Sequence, residues 1–471
     1  MYLIIDQGGQ STRAVLFDHS GKILARERRP IATRRSAPDR VEHDCDELLA
    51  SVHDTIDALL PRIPAASGPI PTGLVTQRSS LVCWRRTTGE PLTPVISWQD
   101  TRGKSLLENF EAQRDDIKAR TGLVVNVHYG ASKILWCLEN VPAVKMAQAT
   151  GELAVGPLAA FLVFKLTGQF KVDPANGSRT LLMNIHSNSW DDHLLARATS
   201  SRHSLPEICD TRDDYGFFVR GEHRFALRLV NGDQSAAFNS YGSLRDDTVY
   251  INAGSGAFIA CVKPPRVTAP QNLLLSPVYC EAGVCQLLCE GTVNGAANAL
   301  EYQRQALALQ DYGALDDWHG DYDSIPLFLN GIGGLGSPFW NADFDSEFIG
   351  AGDARQKMLA VLESIAFLLI LNLQALQAAG ISLTQIYLSG GLSRFALLTT
   401  RLQQLSGLPV YLADDSEATA RGAAFQLAGF PRDWSLPAMT RHQPGPLTAL
   451  DDGVAARFRC WQQEMAARLG T

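Results

Sequence analysis

The chain has 471 residues, of which 45% are hydrophobic and 19% charged, and a formal net charge of -7. That length exceeds what one hydrophobic core usually serves, so two domains are expected, and the composition is that of an ordinary globular protein. The acidic balance argues against a nucleic-acid partner, whose binders concentrate Lys and Arg into a basic footprint.

From Leu3 to Asp18 two β-rich arms meet at Gly8 and Gly9, and a third arm, Lys22 to Arg26, follows Gly21, which predicts an antiparallel meander. The basic run Arg26, Arg28, Arg29, Arg34, Arg35 encloses Pro30 and reads as a solvated strand edge and loop. Apolar Leu48, Leu49, Val52, Ile56, Leu59 and Leu60 recur at helical steps, with Asp44 available as N-cap. A strand at Gly73 to Thr76 ends in Gln77-Arg78-Ser79, and a second meander, Leu81 to Trp84 and Pro94 to Trp98, closes on Gln99-Asp100-Thr101-Arg102. Helical stretches fill Ser105 to Leu166, and Asn231 to Ala237 marks a loop entering a helix, where the domain boundary is placed.

Thr248 to Val262 then repeats the opening plan, with two apolar arms around Gly254-Ser255-Gly256. One such hairpin per half suggests a duplicated architecture whose cleft holds phosphates between two turns rich in backbone N–H groups. A long helix, Gln356 to Ala379, precedes a strand ending in Gly390-Gly391, and Val454 to Leu469 reads as a helix with Phe458, Trp461 and Met465 on one side.

Several functions are argued against. The nine cysteines are scattered, and an odd number without a signal peptide suits a reducing compartment; Cys280, Cys285 and Cys289 read as small core hydrophobes with no metal role. Met1 to Ile5 runs straight into Asp6, so no export leader is expected, and the apolar window Ile365 to Leu371 is too short to span a bilayer, which needs roughly 20 apolar residues, and reads as a buried helix. No Gly-x4-Gly-Lys-Ser/Thr loop is present; Gly331-Ile-Gly333-Gly-Leu-Gly336 matches a dinucleotide fingerprint in letters, but Pro338 opposes the helix that should follow, so a close-packed loop is expected.

Asp6 at a strand end, followed by Gly8, Gly9, Gln10 and Ser11 with Arg13 nearby, offers a magnesium-directed carboxylate and phosphate donors; a plain tight hairpin fits locally too, and the second hairpin at Gly254 favours the phosphate reading. Asp233, at a helix entrance, fits N-capping, where the dipole would keep it ionised, or a general base; local sequence accommodates both. Trp98 and Phe258 fit core aromatics or faces for a sugar.

In order along nearly the whole chain, these segments resemble the FGGY carbohydrate kinases, most of all the glycerol-phosphorylating members. The resemblance is carried by Asp6-Gln7-Gly8 with Ser11-Thr12-Arg13, Thr76-Gln77-Arg78, Trp98-Gln99-Asp100-Thr101-Arg102, Asn176 to Asn184, Gly232-Asp233-Gln234, Gly254-Ser255-Gly256, Gly336-Ser337-Pro338-Phe339-Trp340, Gly390-Gly391 and Glu417 to Ala424. It implies an α/β actin-like ATPase fold of two ribonuclease-H-like domains with a nucleotide cleft: residues 1–236, residues 237–430, and a helical extension at 431–471. It implies ATP and Mg²⁺ as cofactors, a small sugar or polyol as acceptor and possible self-association; the cysteines and the N-terminus predict a cytoplasmic location, and nothing in the sequence points to a membrane partner. By position, Asp233 matches the catalytic base and Asp6 the magnesium-associated residue; Gly8, Gly9, Gln10, Ser11, Arg13, Gly254, Ser255 and Gly256 match the phosphate contacts, and Gly390 with Gly391 the adenosine loop. Gln77, Arg78, Trp98, Gln234 and Phe258 match the acceptor pocket.

Departures fall in two places. A pocket glutamate of the glycerol-phosphorylating members is Ser79 here, and a pocket tyrosine aligns with His128; both changes point to a longer polyol or a ketose. Two threonines of the phosphate hairpin are Gly9 and Gln10, and an asparagine expected after Gly391 is Phe395, which leaves a non-catalytic relative as the alternative.

Overall fold

A computed structural model describes the chain except residues 66–67, 199–200, 313–314, 316–323, 414–416, 444–450 and 471. It forms two compact units that interleave in sequence: Met1–Leu244, Leu275–Leu287 and Ser416–Leu436 in the first, Arg245–Leu274, Leu288–Asp415 and Pro437–Thr471 in the second. The linear division at 236 and 430 thus differs from the compact units, because two later segments of chain return to the first.

The first unit is built on a six-stranded sheet in the spatial order Phe217–Arg220, His223–Gly232, Ile70–Thr76, Tyr2–Gln7, Ser11–Phe17, Ile23–Pro30. The last three form the antiparallel meander read from the sequence, while Tyr2–Gln7, Ile70–Thr76 and His223–Gly232 run parallel. Register places both Gln7 and Gly232 opposite Thr76, so three neighbouring strands end side by side. Alternation sends Ile4, Val15, Phe17, Val75 and Leu229 to one face, where Ala420, Ala423 and Ala424 of helix Ala418–Leu427 cover them. On the other face Thr12 bonds Ser51 of helix Cys45–Leu59 at 2.6 Å, and that helix is capped as expected by Asp44, which accepts from the N–H groups of Asp46 and Glu47.

The alanine-rich helix can approach closely because Gly422 has no side chain: a Cβ there would lie 1.9 Å from the carbonyl oxygen of Ala236. Gly422→Ala is therefore expected to destabilise the protein by about 3 kcal/mol through overpacking against backbone, and to lower turnover by displacing helix Asp233–Ala237. Thermal unfolding and initial rates of the variant check both effects.

The second unit repeats the plan. Thr248–Ala253 and Ala257–Val262 form an antiparallel hairpin, residues 288–293 extend it, and Gln385–Ser389 lies parallel beside the first strand, followed by Val410–Ala413 and Met439–Arg441. Its core is helix Ala354–Ala378, started by a capping box of Asp353 and Gln356, packed with Phe458, Trp461 and Met465 from the tail helix Asp451–Leu469. The glycine-rich segment is a close-packed loop, since a Cβ on Gly331 or Gly336 would lie 2.1 Å from the carbonyl oxygen of Phe344 or Thr292 respectively.

Two sequence readings need correction. The apolar window Ile365 to Leu371 is a buried helix as expected, but it is not too short: it belongs to a helix of 25 residues that is long and apolar enough, by length and composition, to cross a membrane, with 83% of its most apolar stretch buried inside the protein. Cys280 and Cys285 are not simply core hydrophobes: they form a disulfide with a Cα–Cα distance of 4.1 Å, because the turn at Ala282 and Gly283, both in the left-handed region, brings their strands face to face. Cys289 is fully buried, as expected.

Candidate active site

The ends of the three parallel strands carry most of the first unit's residues that the sequence marks as a candidate site. Tyr2–Gln7 delivers Asp6 and the turn Gly8 to Ser11, Ile70–Thr76 delivers Gln77 and Arg78, and His223–Gly232 delivers Asp233. Side chains at such ends lack a continuing neighbour in the sheet and stay available for ligands.

The turn is closed by the Gly8 N–H donating to the Ser11 carbonyl at 3.0 Å, and Thr33 Oγ1 donates to the Gly9 carbonyl at 3.3 Å. The backbone N–H groups of Gly9 and Gln10 have no protein acceptor among the described residues. A turn of this kind presents partial positive charge to an anion whatever its side chains, so the replacement of side chains at Gly9 and Gln10 leaves the backbone donors in place. Arg28 Nε donates to Ser11 Oγ at 3.0 Å, which brings a cation to the turn from a run that the sequence reading assigned to a solvated edge.

Asp6 is 2% exposed and receives Arg13 Nη2 at 2.5 Å. Burial raises its carboxyl to about 6; the Arg13 guanidinium pulls it back, while the charges of Asp233 and Glu417 push it further up. Glu417 also meets Arg13 at 3.4 Å and Arg26 at 3.3 Å, so two arginines converge on it. Glu417 stood in a matched motif with no role assigned; its place beside Asp6 depends on a fold that joins residues some 400 positions apart.

Asp233 is the first residue of helix Asp233–Ala237, whose N-cap is Gly232, so it does not act as the cap. Its carboxylate accepts from the Gln234 N–H at 2.7 Å. Burial raises its carboxyl, opposed first by the Arg78 guanidinium, then by the Gln234 N–H and by Arg179. The expectation of a dipole-lowered value is thereby corrected: a helix of five residues has little dipole, and desolvation outweighs it. Gly232 makes room for Arg78, because a Cβ there would lie 2.6 Å from Arg78 Cγ. Arg179, also without an assigned role, is 4% exposed, donates to Ser276 Oγ at 2.8 Å and lies over the Tyr129 ring.

Trp98 is bonded both to Ser80, the chain neighbour of Ser79, and to His128. Ser80 Oγ accepts from the Trp98 N–H at 3.0 Å, and the Trp98 carbonyl lies 2.9 Å from His128 Nδ1. A carbonyl only accepts, so Nδ1 carries a proton; burial lowers the ring's pKa and favours its neutral form. Trp98 is 42% exposed and is no core aromatic. Lys133 Nζ donates to the His128 carbonyl at 2.6 Å, and burial brings its pKa down to about 7.

Gln77 is 2% exposed, and neither end of its amide has a hydrogen-bond partner among the described residues. Gln234, the remaining residue matched here, is half-buried beside Asp233.

The other matched residues lie in the second unit. Gly254 N–H donates to the Gly256 carbonyl at 2.9 Å, Ser255 is exposed, and Gly390, with φ +90°, presses on Ala253, whose carbonyl oxygen would be 2.4 Å from an added Cβ. The glycine hairpin and the Gly390-Gly391 loop thus share one end of one sheet. Phe258 is half-buried opposite Asn252, and Phe395 is 6% exposed in the core.

The residues fit a magnesium nucleotide: a hard, buried carboxylate at Asp6, unaccepted N–H groups at Gly9 and Gln10, and Arg13 and Arg28 beside them. The chain matches the FGGY family of carbohydrate kinases, N-terminal domain, over residues 1–225 and its C-terminal domain over residues 249–428. It is 31% identical to the glycerol kinase of Stenotrophomonas maltophilia (strain R551-3), with 99% of this chain and 98% of that one covered. The crystal structure of Plasmodium falciparum glycerol kinase with ADP superposes with a TM-score of 0.87 at 22% identity, covering 100% of this chain and 98% of that one. Ligand-bound xylulose kinase from Lactobacillus acidophilus superposes with a TM-score of 0.85 at 19% identity, covering 100% and 99%. The fold is the actin-like ATPase fold with ribonuclease-H-like domains. The protein belongs to the FGGY family of carbohydrate kinases, phosphotransferases that use ATP and magnesium and take an alcohol group as acceptor.

Proposed function

We propose that this kinase phosphorylates a terminal or near-terminal hydroxyl of a small polyol or ketose, with Asp233 as the general base. The observation that carries the reading is the placement of Asp233 at the same end of the sheet as Asp6 and the Gly8 to Ser11 turn. ATP supplies the transferable phosphoryl group. Asp6 is the magnesium-associated carboxylate; Gly8, Gly9, Gln10, Ser11 and Arg13 are the phosphate contacts of the first unit, and Gly254, Ser255, Gly256, Gly390 and Gly391 the nucleotide contacts of the second. Asp233 takes the proton of the attacking hydroxyl, while Gln77, Arg78, Ser79, Trp98, His128, Gln234 and Phe258 receive the acceptor.

Ser79 and His128 separate the acceptor from plain glycerol. Ser79 offers a hydroxyl where the resemblance expects a carboxylate, and a charge-assisted hydrogen bond contributes roughly 1.5–3 kcal/mol. Ser79→Glu is therefore expected to raise kcat/KM for glycerol at least about tenfold relative to larger acceptors, each tenfold corresponding to about 1.4 kcal/mol. Competition between glycerol and a ketose in one assay reads the ratio, and an unchanged ratio would remove Ser79 from the pocket.

The deciding experiment is ADP release from magnesium ATP across glycerol, erythritol, xylulose, ribulose and fuculose. A single strong responder supports the reading and names the acceptor. Background rates with all of them, together with bound but unphosphorylated acceptor, would overturn it.

A further inference from the structure

Gln77 sits between the two halves of the chemistry. Its strand has the Gln7-Gly8 end on one side and the Gly232-Asp233 end on the other, and its own N–H donates to the Gln7 carbonyl at 2.9 Å. The side chain lies against the phosphate turn: a Cβ on Gly9 would be 3.5 Å from Gln77 Oε1. Both Oε1 and Nε2 are buried without a partner among the described residues, and so is the Oε1 of neighbouring Gln7.

A buried amide with neither end bonded is an unusual expense, since burial forfeits its bonds to water and the protein returns nothing. No hydrogen bond defines its orientation either, so the amide can turn its donor or its acceptor toward the Gly8 to Gln10 turn without losing a contact. That turn has its own unaccepted N–H groups at Gly9 and Gln10. The two sets of unpaired groups face a single event, the arrival of phosphate oxygens.

We propose that Gln77 is a positioning residue for phosphoryl transfer: its amide engages the Gly8 to Gln10 turn when phosphate oxygens occupy it, and so couples the phosphate turn to the acceptor residues Arg78 and Ser79. This rests on the kinase reading above. An amide suits the role because it carries a donor and an acceptor and no charge, so it can bond a rearranged peptide group without repelling phosphate. Position 9 and the amide are in van der Waals reach of each other, since a Cβ on Gly9 would lie 3.5 Å from Gln77 Oε1.

Gln77→Met tests this, keeping the side chain's length while removing both polar ends. Expected are an unchanged or higher Tm and a kcat about 30-fold lower, a larger change than that in acceptor KM. In binding measurements with magnesium, ADP alone should bind the variant as it binds the parent, whereas ADP with aluminium fluoride, a mimic of the phosphoryl group in transfer, should bind at least tenfold more weakly. Gln77→Leu, which is also uncharged and removes both polar ends, should show the same selective loss and serves if the methionine variant folds poorly. An unchanged kcat, or equal weakening of ADP and of the fluoride mimic, overturns the positioning role. A parent protein that transfers phosphate normally while the variants match it sinks this inference alone; a parent that binds no nucleotide sinks it together with the kinase reading.

Discussion

Replacing Asp233 with asparagine is expected to lower kcat by about a thousandfold, within the 10² to 10⁴ range typical of a positioned general base, while acceptor KM stays within a few-fold. The amide preserves shape and can still contact a hydroxyl, but it cannot take the proton. The other carboxylate at these strand ends, Asp6, is held by Arg13 at 2.5 Å and is poorly placed to substitute. The pH profile carries a second signature. Burial holds the Asp233 carboxyl above the ordinary aspartate value, and a base works only when deprotonated. Turnover should therefore be lost as pH falls through that raised value, at a higher pH than an exposed aspartate would give, and the limb should be absent from the residual activity of Asp233→Asn. Initial rates of both proteins across pH check this, and near-normal turnover in the variant would remove Asp233 as base.

The second large effect is on stability. Glu363, in the long helix of the second unit, receives Arg401 Nε at 3.0 Å and Arg457 Nη2 at 2.6 Å, and all three side chains are at most 9% exposed. Arg457 also donates to the Ile325 carbonyl at 2.8 Å, tying the tail helix to the core. Removing one member of such a buried cluster leaves charge without its counterion, so Glu363→Ala should cost about 3–5 kcal/mol. For a unit of this size that lowers Tm by roughly 10 °C. Exchanging all three residues together, as Glu363→Leu, Arg401→Met and Arg457→Met, should recover most of the loss, because apolar groups of similar volume need no partners. A triple variant as unstable as Glu363→Ala would show that the cluster's bonds to backbone, and not its charge balance, hold the tail helix. Differential scanning calorimetry reads both variants.

Much of this protein was legible along the chain. The meander from Tyr2 to Pro30, the Asp44 cap, the repeat of a glycine hairpin at Gly254 and the apolar side of the tail helix all follow from local rules: alternation in strands, the 3.6 period in helices, and capping chemistry. Each requires only neighbours a few residues away. Motif order along the chain then pointed to the family, and Asp6, Arg13 and Asp233 could be named because their sequence context travels with them.

Tertiary structure alone decided the rest. That Glu417 meets Arg13 and Arg26, that Arg28 reaches Ser11, and that Trp98 bonds both Ser80 and His128 depend on contacts between distant segments. The pairing of Cys280 with Cys285 required the turn that aligns their strands, since spacing by itself is equally consistent with alternating core positions. Charge state needed burial as well: a helix-entry aspartate reads as ionised, yet desolvation raises Asp233, because the free energy of a charge depends on all the atoms around it. Sequence thus determined which chemical groups exist and the local elements that carry them, while only the packed fold decided which groups face one another without water between them, and electrostatics and hydrogen bonding are governed by that three-dimensional proximity.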